Sequence, residues 1–516
     1  AVFNKAINSV FGMLSSNYKD IVYLDLTARN DWSSTLPADV RSYFYPSASA
    51  SLMLSEVISL PAWVSLMKVR SGWAQVGKDT DPYTIHNVLN RGTWGDLTYY
   101  TNPASLPNTR LKPEIATSYE AGFDLSLLSN RIRLEFTAYK MRNKNQILDV
   151  NVSQMSGFDA AKINAGVVEN WGTEAGLHMV PVKRGNWQWN STVNFTRDRN
   201  KLTELTDGVD QVVFWQENGA TAISRVGERL GDIYGYDALR VKEGEYKGWA
   251  LLNANGKLQQ DNSQYVKIGN YMHDFMIGFQ NTVRYKSISL STSIDWRQGG
   301  NFYSNTMQRF ARSGMVESYH NGIHSSTFSG ILGADSFGGN RDQLANEIRN
   351  NPAIYRDGNV WVGGRTQDLG GFLNNGVYNG AFFPGVISDG SGGYIENFGA
   401  EGTRLINTWE VHEPGGGYWD IAVGNKFLYD ASFLKLRELS VSYDLPGRLT
   451  ERAGIRKASV SVFARNIILW TAAGIGIDPE LAYMRRQHAF QSRGIERFGG
   501  AGPWVGSGGV TLKLDF

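Results

Sequence analysis

The chain has 516 residues, with 51 Lys and Arg against 49 Asp and Glu, and its net charge of +2 leaves no electrostatic footprint for nucleic acid. It contains no cysteine, which removes disulfides, thiolate metal sites and a cysteine nucleophile together. Aromatic residues make up 12% of the chain, charged residues only 19%, and 57 Gly outnumber 14 Pro, a balance that suits many strands and turns rather than a helix-rich enzyme.

The opening residues, Ala1-Val2-Phe3-Asn4, carry neither a basic nor an apolar targeting segment, so a secretion signal is expected upstream. From there the chain alternates. Val22, Leu24, Leu26 and Ala28 oppose Tyr23, Asp25, Thr27 and Arg29. Tyr119, Ala121, Phe123, Leu125 and Leu127 oppose Ser118, Glu120, Gly122, Asp124 and Ser126. After a Ser129-Asn130 turn, Ile132, Leu134, Phe136 and Ala138 oppose Arg131, Arg133, Glu135, Thr137 and Tyr139. Trp187, Trp189, Val193 and Phe195 oppose Gln188, Asn190, Thr192 and Asn194. The clearest hairpin runs from Phe275 to Arg297. Phe275, Ile277, Phe279, Val283 and Tyr285 share a face with one polar intruder, Asn281. The chain turns at Lys286-Ser287 and returns with Ile288, Leu290, Thr292, Ile294 and Trp296 on that face, and Ser289, Ser291, Ser293, Asp295 and Arg297 on the other. Leu439, Val441, Tyr443 and Leu445 follow, then Ala458, Val460, Val462 and Ala464, and last Val510, Leu512, Leu514 and Phe516.

This period of two predicts about thirteen strands, near 6–17, 20–32, 44–56, 63–76, 115–128, 131–148, 171–182, 186–198, 273–285, 288–300, 432–445, 457–469 and 508–516. No run approaches the roughly 18 apolar residues of a membrane helix, but a membrane barrel crosses with alternating strands and keeps a modest hydropathy. A soluble sandwich shows the same alternation, so the pattern alone permits both. Connection lengths and the terminal Phe516 favour the barrel and leave a soluble sandwich or adhesin as the disfavoured option. Short turns near 18–20, 129–130, 183–185 and 286–287 alternate with long stretches near 77–114, 199–272, 301–431 and 470–507, as outer-membrane barrels alternate periplasmic turns with external loops. Within 301–431, Arg341 to Asn350 is expected to form a short helix. Residues 1–516 therefore read as one all-β unit, an antiparallel transmembrane barrel.

Trp73, Trp187, Trp189, Trp296 and Trp470 fall near strand ends, where an interfacial girdle is expected. Glu120, Asp124, Arg133, Asp295 and Arg297 are expected to line the lumen, either as a solute path or as mutually neutralising charge. Among the loop aromatics, Trp215, Tyr234, Tyr303, Tyr355, Trp361, Tyr394, Trp409 and Trp419 are candidate platforms for sugar rings or peptide side chains, with loop packing as the alternative. Glu317, His320 and His324 have helical metal-ligand spacing, but Gly314, Asn321 and Gly322 argue for an ordinary loop, and no metal or other cofactor is expected. The run Asp389-Gly390-Ser391-Gly392-Gly393 lacks both the EF-hand ligand series and the nucleophile-elbow spacing and reads as a flexible loop. No converging catalytic set is legible, so an enzyme is not expected. A barrel acting as a docking platform in a larger complex is an alternative.

Several ordered segments resemble the SusC branch of TonB-dependent transporters of Bacteroidetes: Ala28-Arg29-Asn30-Asp31-Trp32-Ser33-Ser34, Tyr45-Pro46-Ser47, Leu111-Lys112-Pro113-Glu114 with Tyr119-Glu120-Ala121-Gly122, and Asn164-Ala165-Gly166. They continue through Gly231-Asp232-Ile233-Tyr234-Gly235-Tyr236, Arg297-Gln298-Gly299-Gly300, Ala431-Ser432-Phe433-Leu434-Lys435-Leu436-Arg437-Glu438, Ala464-Arg465-Asn466 and Asp478-Pro479-Glu480. The resemblance implies a barrel of about 22 strands with an N-terminal plug, of which this chain supplies the C-terminal part without the plug. An odd strand count leaves the sheet unclosed, so a missing segment with the plug and about nine strands is expected in the same or another polypeptide. The terminal Val510, Leu512, Leu514 and Phe516 resemble the barrel-assembly signal, which would make the C-terminus authentic. Implied partners are a SusD-like lipoprotein lid, the TonB-ExbB-ExbD complex acting through the missing segment, and membrane lipid or lipopolysaccharide. The implied cargo is an oligosaccharide or, as the alternative, an oligopeptide.

Overall fold

A computed structural model describes residues 4–217, 219–263, 265–312, 341–356, 360–362, 373–374, 377–378, 380–404, 427–450, 454–483, 493–497 and 505–516. Its main sheet has 14 strands. One of these, Ser105–Leu106, lies off the path and pairs in parallel with Ala160 and Ala161, which leaves thirteen in one continuous order. They are Ile7–Tyr18, Val22–Ser33, Ser42–Met53, Val64–Lys78, Glu114–Leu127, Ile132–Asn151, Ala160–Arg184, Trp187–Leu205, Phe275–Tyr285, Ile288–Gln298, Phe433–Asp444, Lys457–Thr471 and Ser507–Asp515. Each pairs antiparallel with the next, so the sheet is an up-and-down meander whose two edges are the first and thirteenth strands. The expected thirteen strands are all present.

Cross-strand register turns the period-two pattern into bands. One row runs through Val182, Trp189, Val283, Leu290, Val441, Val462 and Val510. A second runs through Met67, Leu125, Leu134, Leu177, Val193, Phe279, Ile294, Leu436 and Ile467. One position along, the row on the opposite face reads Ser126, Arg133, His178, Thr192, Gln280, Ser293, Glu438 and Arg465. Much of the apolar face is exposed: Leu290 is 40% accessible, Val441 47% and Val462 57%. A soluble protein cannot keep so wide an apolar surface in water, whereas a bilayer solvates it. This exposure excludes the sandwich that alternation alone permitted. The polar intruder Asn281 is accommodated on this face by accepting a 3.2 Å hydrogen bond from the Trp189 indole.

The Ala160–Arg184 strand starts well before the expected residue 171. Register shifts beside Gly166 break the alternation there, so the pattern hides the strand's first part. A side chain at Gly166 would run into the Glu204 carbonyl, so the close approach requires glycine. Together with Ile132–Asn151 and Trp187–Leu205, this strand is far longer than the roughly 9–11 residues a bilayer needs, and the excess carries the loops away from the membrane.

Trp187 lies at the short-turn end of its strand, while Trp296 and Trp470 share a row through Leu434 at the long-loop end. The predicted helix Arg341–Asn350 is present.

Candidate functional site

The described parts of the connections that follow the eighth, tenth and twelfth strands converge into a folded cap. The 206–272 connection forms a sheet of Gln211–Glu217, Ala220–Arg225, Asp232–Gly235 and Val266–Asn270. Its core joins Trp215, Ile233 and Tyr271 to Tyr303, Met307, Phe427 and Ile495, and to Val168 and Leu202 from the long barrel strands. Apolar packing thus runs from wall to cap without a break. Gly231, at φ 87°, lies against the Tyr271 ring, where a Cβ would collide. Asp232 beside it is buried and accepts hydrogen bonds from Asn270 at 2.5 Å and Lys267 at 2.6 Å. Buried Glu496 accepts from the Ser304 hydroxyl at 2.7 Å and from Thr306, which ties the 493–497 segment to the start of the Asn305–Arg312 helix.

A second cluster joins Val241 and Trp249 to Leu344, Ile348, Tyr355, Phe382, Val386 and Phe398. Here Ala250–Leu252 pairs in parallel with Gly385–Ser388, which pairs in turn with Tyr394–Asn397. The Asp389 run, expected to be a flexible loop, is an ordered turn closing that hairpin. Asp389 accepts from the Ser391 and Gly393 amides at 2.8 and 2.9 Å, and these donors hold its carboxyl below the usual range.

The structure corrects the expectation for several candidate platforms. Trp215 is buried, donates its indole hydrogen to the Arg493 carbonyl and packs on Tyr303 with ring centroids 6.2 Å apart. Tyr303 and Tyr355 are fully enclosed. Tyr234 is buried beneath Arg225, 4.4 Å from its ring, and donates to Glu228. Burial, reinforced by Glu228, pushes its phenol up to about 12. These four rings build the cap, since a flat ring that fills a core has no face left for a ligand. Tyr394 is different: it is 39% exposed and meets Tyr246 edge-on at 6.0 Å. The Trp361 side chain, Trp409, Trp419, Glu317, His320 and His324 lie outside the described residues.

The polar-face charges divide. Glu120 and Arg133 are exposed, and Asp124 bridges Lys68 at 3.0 Å and Arg70 at 3.4 Å. Arg297 is a correction. It is buried beneath the cap, 3.7 Å from the Tyr483 ring, and donates to the Tyr271 carbonyl, so it braces a loop rather than lining an open path.

Asp295 belongs to the main charged cluster. Arg437 donates to Asp295 at 2.6 Å and grips both oxygens of Glu480, at 2.7 and 2.5 Å. Lys435, fully buried, holds Glu480 at 2.7 Å and also Asp478. Asp478 in turn caps the Pro479–Ala482 turn through the Glu480 amide. Burial acts to raise the Glu480 pKa, but hydrogen bonds and charge from Arg437 and Lys435 outweigh it and hold the carboxyl down to about 2. In the sequence, Lys435, Arg437, Asp478 and Glu480 stand out only as parts of short motifs. The available signal was a basic pair on one strand face, Lys435 and Arg437, matched by the acids of an Asp-Pro-Glu turn.

The model of the TonB dependent receptor-like beta-barrel matches residues 2–295. The chain belongs to the TonB dependent receptor-like β-barrel family. It is accordingly an outer-membrane protein, and its SusC-type resemblance is borne out. This receptor barrel is similar to TonB-dependent receptor P26 of Formosa agariphila, at 27% identity over 58% of this chain and 33% of the relative. It is similar to receptor P3 of that organism at 21% over 98% and 45%, and to SusC of Bacteroides thetaiotaomicron at 23% over 70% and 38%. Among solved structures, the RagAB peptide transporter superposes with a TM-score of 0.64 at 17% identity, over 99% of this chain and 48% of that one. The receptor barrel thus spans less than half the length of these curated relatives.

Proposed function

We propose that this receptor barrel is the loop-bearing wall of an outer-membrane importer for large solutes, with oligosaccharides as the cargo that the SusC-type resemblance implies. The observation that carries the reading is a continuous lipid-facing apolar band backed by a polar face, with long strands leading into a folded cap. A wall of this construction separates lipid from a wet lumen and holds a fixed recognition surface at its outer mouth. A SusD-like lipoprotein would close over that mouth. A plug and further strands would fill the sheet between its free edges, and the TonB-ExbB-ExbD complex would supply energy through that segment. Glu120, Asp124, Arg133 and Asp295 are proposed to face the solute path, and Tyr394 to offer an open ring to it.

The polar face is electrically mixed, and amide and aromatic groups of the cap suit a peptide backbone as well as a sugar, so oligopeptide import is the second reading. The test begins with intact-mass spectrometry and N-terminal sequencing of the complex extracted from the membrane. Recovery of a plug-bearing segment and a surface lipoprotein is the expected outcome; a closed barrel of this chain alone would overturn the importer reading. Calorimetry of that complex with matched oligosaccharide and oligopeptide panels then assigns the cargo.

A further inference from the structure

At the short-turn end of the sheet, the eighth and ninth strands put an aromatic pair on the apolar face. Trp187 and Tyr285 are register partners with ring centroids 4.5 Å apart, and both are exposed. Two cations flank them. Lys286 opens the turn at φ 52°, and its Nζ lies 5.5 Å from the Tyr285 ring centroid. Arg184, at the end of the seventh strand, is the register partner of Trp187, so strand alternation puts it on the same lipid-facing side. Neither cation has an ion-pair partner among the described residues. The acid at the neighbouring strand end, Asp444, belongs to the polar face and is engaged by Arg284 at 3.0 Å and Lys457 at 3.9 Å. Deeper along the same face, Val283, Leu290 and Val441 form an apolar bed.

A lipid-facing cation without a carboxylate partner is left open to an anion from the bilayer. Short turns lie on the periplasmic side, whose leaflet is phospholipid, and Trp and Tyr seat themselves at headgroup depth. The first turn offers a contrast: Lys19 sits 5.3 Å from the Tyr18 ring, but the next residue is the acid Asp20 where the later turn has Ser287.

We propose that Arg184, Lys286 and the Trp187–Tyr285 pair bind the phosphate of phosphatidylglycerol in the periplasmic leaflet, with its acyl chains on the Val283, Leu290 and Val441 bed. The two cations take the phosphate diester, and the rings cover the glycerol and upper acyl carbons. The site lies on the outer wall and makes no contact with the lumen.

Native mass spectrometry of the whole receptor complex tests this, with phosphatidylglycerol and phosphatidylethanolamine added in turn. The expected result is selective retention of phosphatidylglycerol, falling about tenfold in the double variant R184Q/K286Q. K183Q is the matched control, because it removes an adjacent positive charge from the opposite face, and it should retain lipid like the parent. Equal retention by R184Q/K286Q, or an equal loss in K183Q, would overturn the site. Displacement by soluble glycerol phosphate would also overturn it, since that marks a free-anion site rather than a lipid site. Heat-modifiability on unboiled gels checks barrel assembly. Should the double glutamine variant fail that check, R184K/K286R must still select phosphatidylglycerol and R184Q alone must lose about threefold, and failure of either overturns the proposal.

Discussion

The ammonium of Lys435, fully buried in the eleventh strand, is hydrogen-bonded to Asp478 of the loop that follows the twelfth strand. Together with Arg437, which grips Glu480, it ties the Asp478–Glu480 turn to the barrel wall. Lys435→Met keeps the stem but leaves Asp478 and Glu480 without their buried cation. Breaking one partner of such a cluster costs about 3–5 kcal/mol. Most of that loss should appear as local opening, because the long antiparallel ladders of the barrel do not depend on it. Hydrogen exchange should rise by about a hundredfold or more across residues 472–483 while barrel amides keep their protection; uniform destabilisation would contradict this.

Acid should open the same latch. The Glu480 pKa is lowered from the ordinary 4.5 to about 2, so the folded state holds the charged form more tightly than the unfolded chain does. A depressed carboxylate contributes stability that is full above about 4.5 and is lost as pH falls toward 2. Protease sensitivity of the 470–483 segment should be low at pH 7 and rise between about 4.5 and 2. Glu480→Gln should be more sensitive at pH 7 and show a flatter pH response.

The two faces of one strand predict opposite tolerance to charge. Val441 lies in the exposed apolar row between Leu290 and Val462, while Ser440 points to the other face opposite Ser291 and Phe463. Val441→Lys should destabilise the inserted barrel by about 2–4 kcal/mol and lower its level in the outer membrane. Ser440→Lys should leave both nearly unchanged. Unboiled gel mobility of the two variants reads this directly, and equal behaviour would refute the assigned faces.

The barrel strands were legible because bilayer and lumen impose one rule on every second residue, and the Phe275–Gln298 hairpin obeys it at most positions, the Asn281–Thr292 pair and Met276 excepted. Where a second rule enters, legibility falls. Around Gly166 the bulges interrupt the period, so the strand's outer part disappears from the pattern. The cap fared worse for a further reason. An aromatic residue that recognises a ligand and one that fills a core have the same composition and the same glycine-rich surroundings, and only burial separates Tyr303 from Tyr394. Long-range partners such as Lys435 and Glu480 leave no local trace, because the contact spans 45 residues.

Tyr303 has no exposed surface and packs on Trp215 and Phe427, so Tyr303→Ala removes a core ring and should cost about 3–5 kcal/mol of cap stability. Its effect on ligand should follow from cap opening and vanish in a fragment of ligand too small to need the cap. Tyr394, 39% exposed and touching Tyr246 only edge-on, has little packing to lose. Tyr394→Ala should leave hydrogen exchange of the Gly385–Asn397 hairpin within error and weaken cargo binding by about tenfold, which is roughly 1.4 kcal/mol. Calorimetry and exchange measured on the same two variants separate the roles, and a Tyr394→Ala complex that binds cargo normally would remove this ring from the recognition surface.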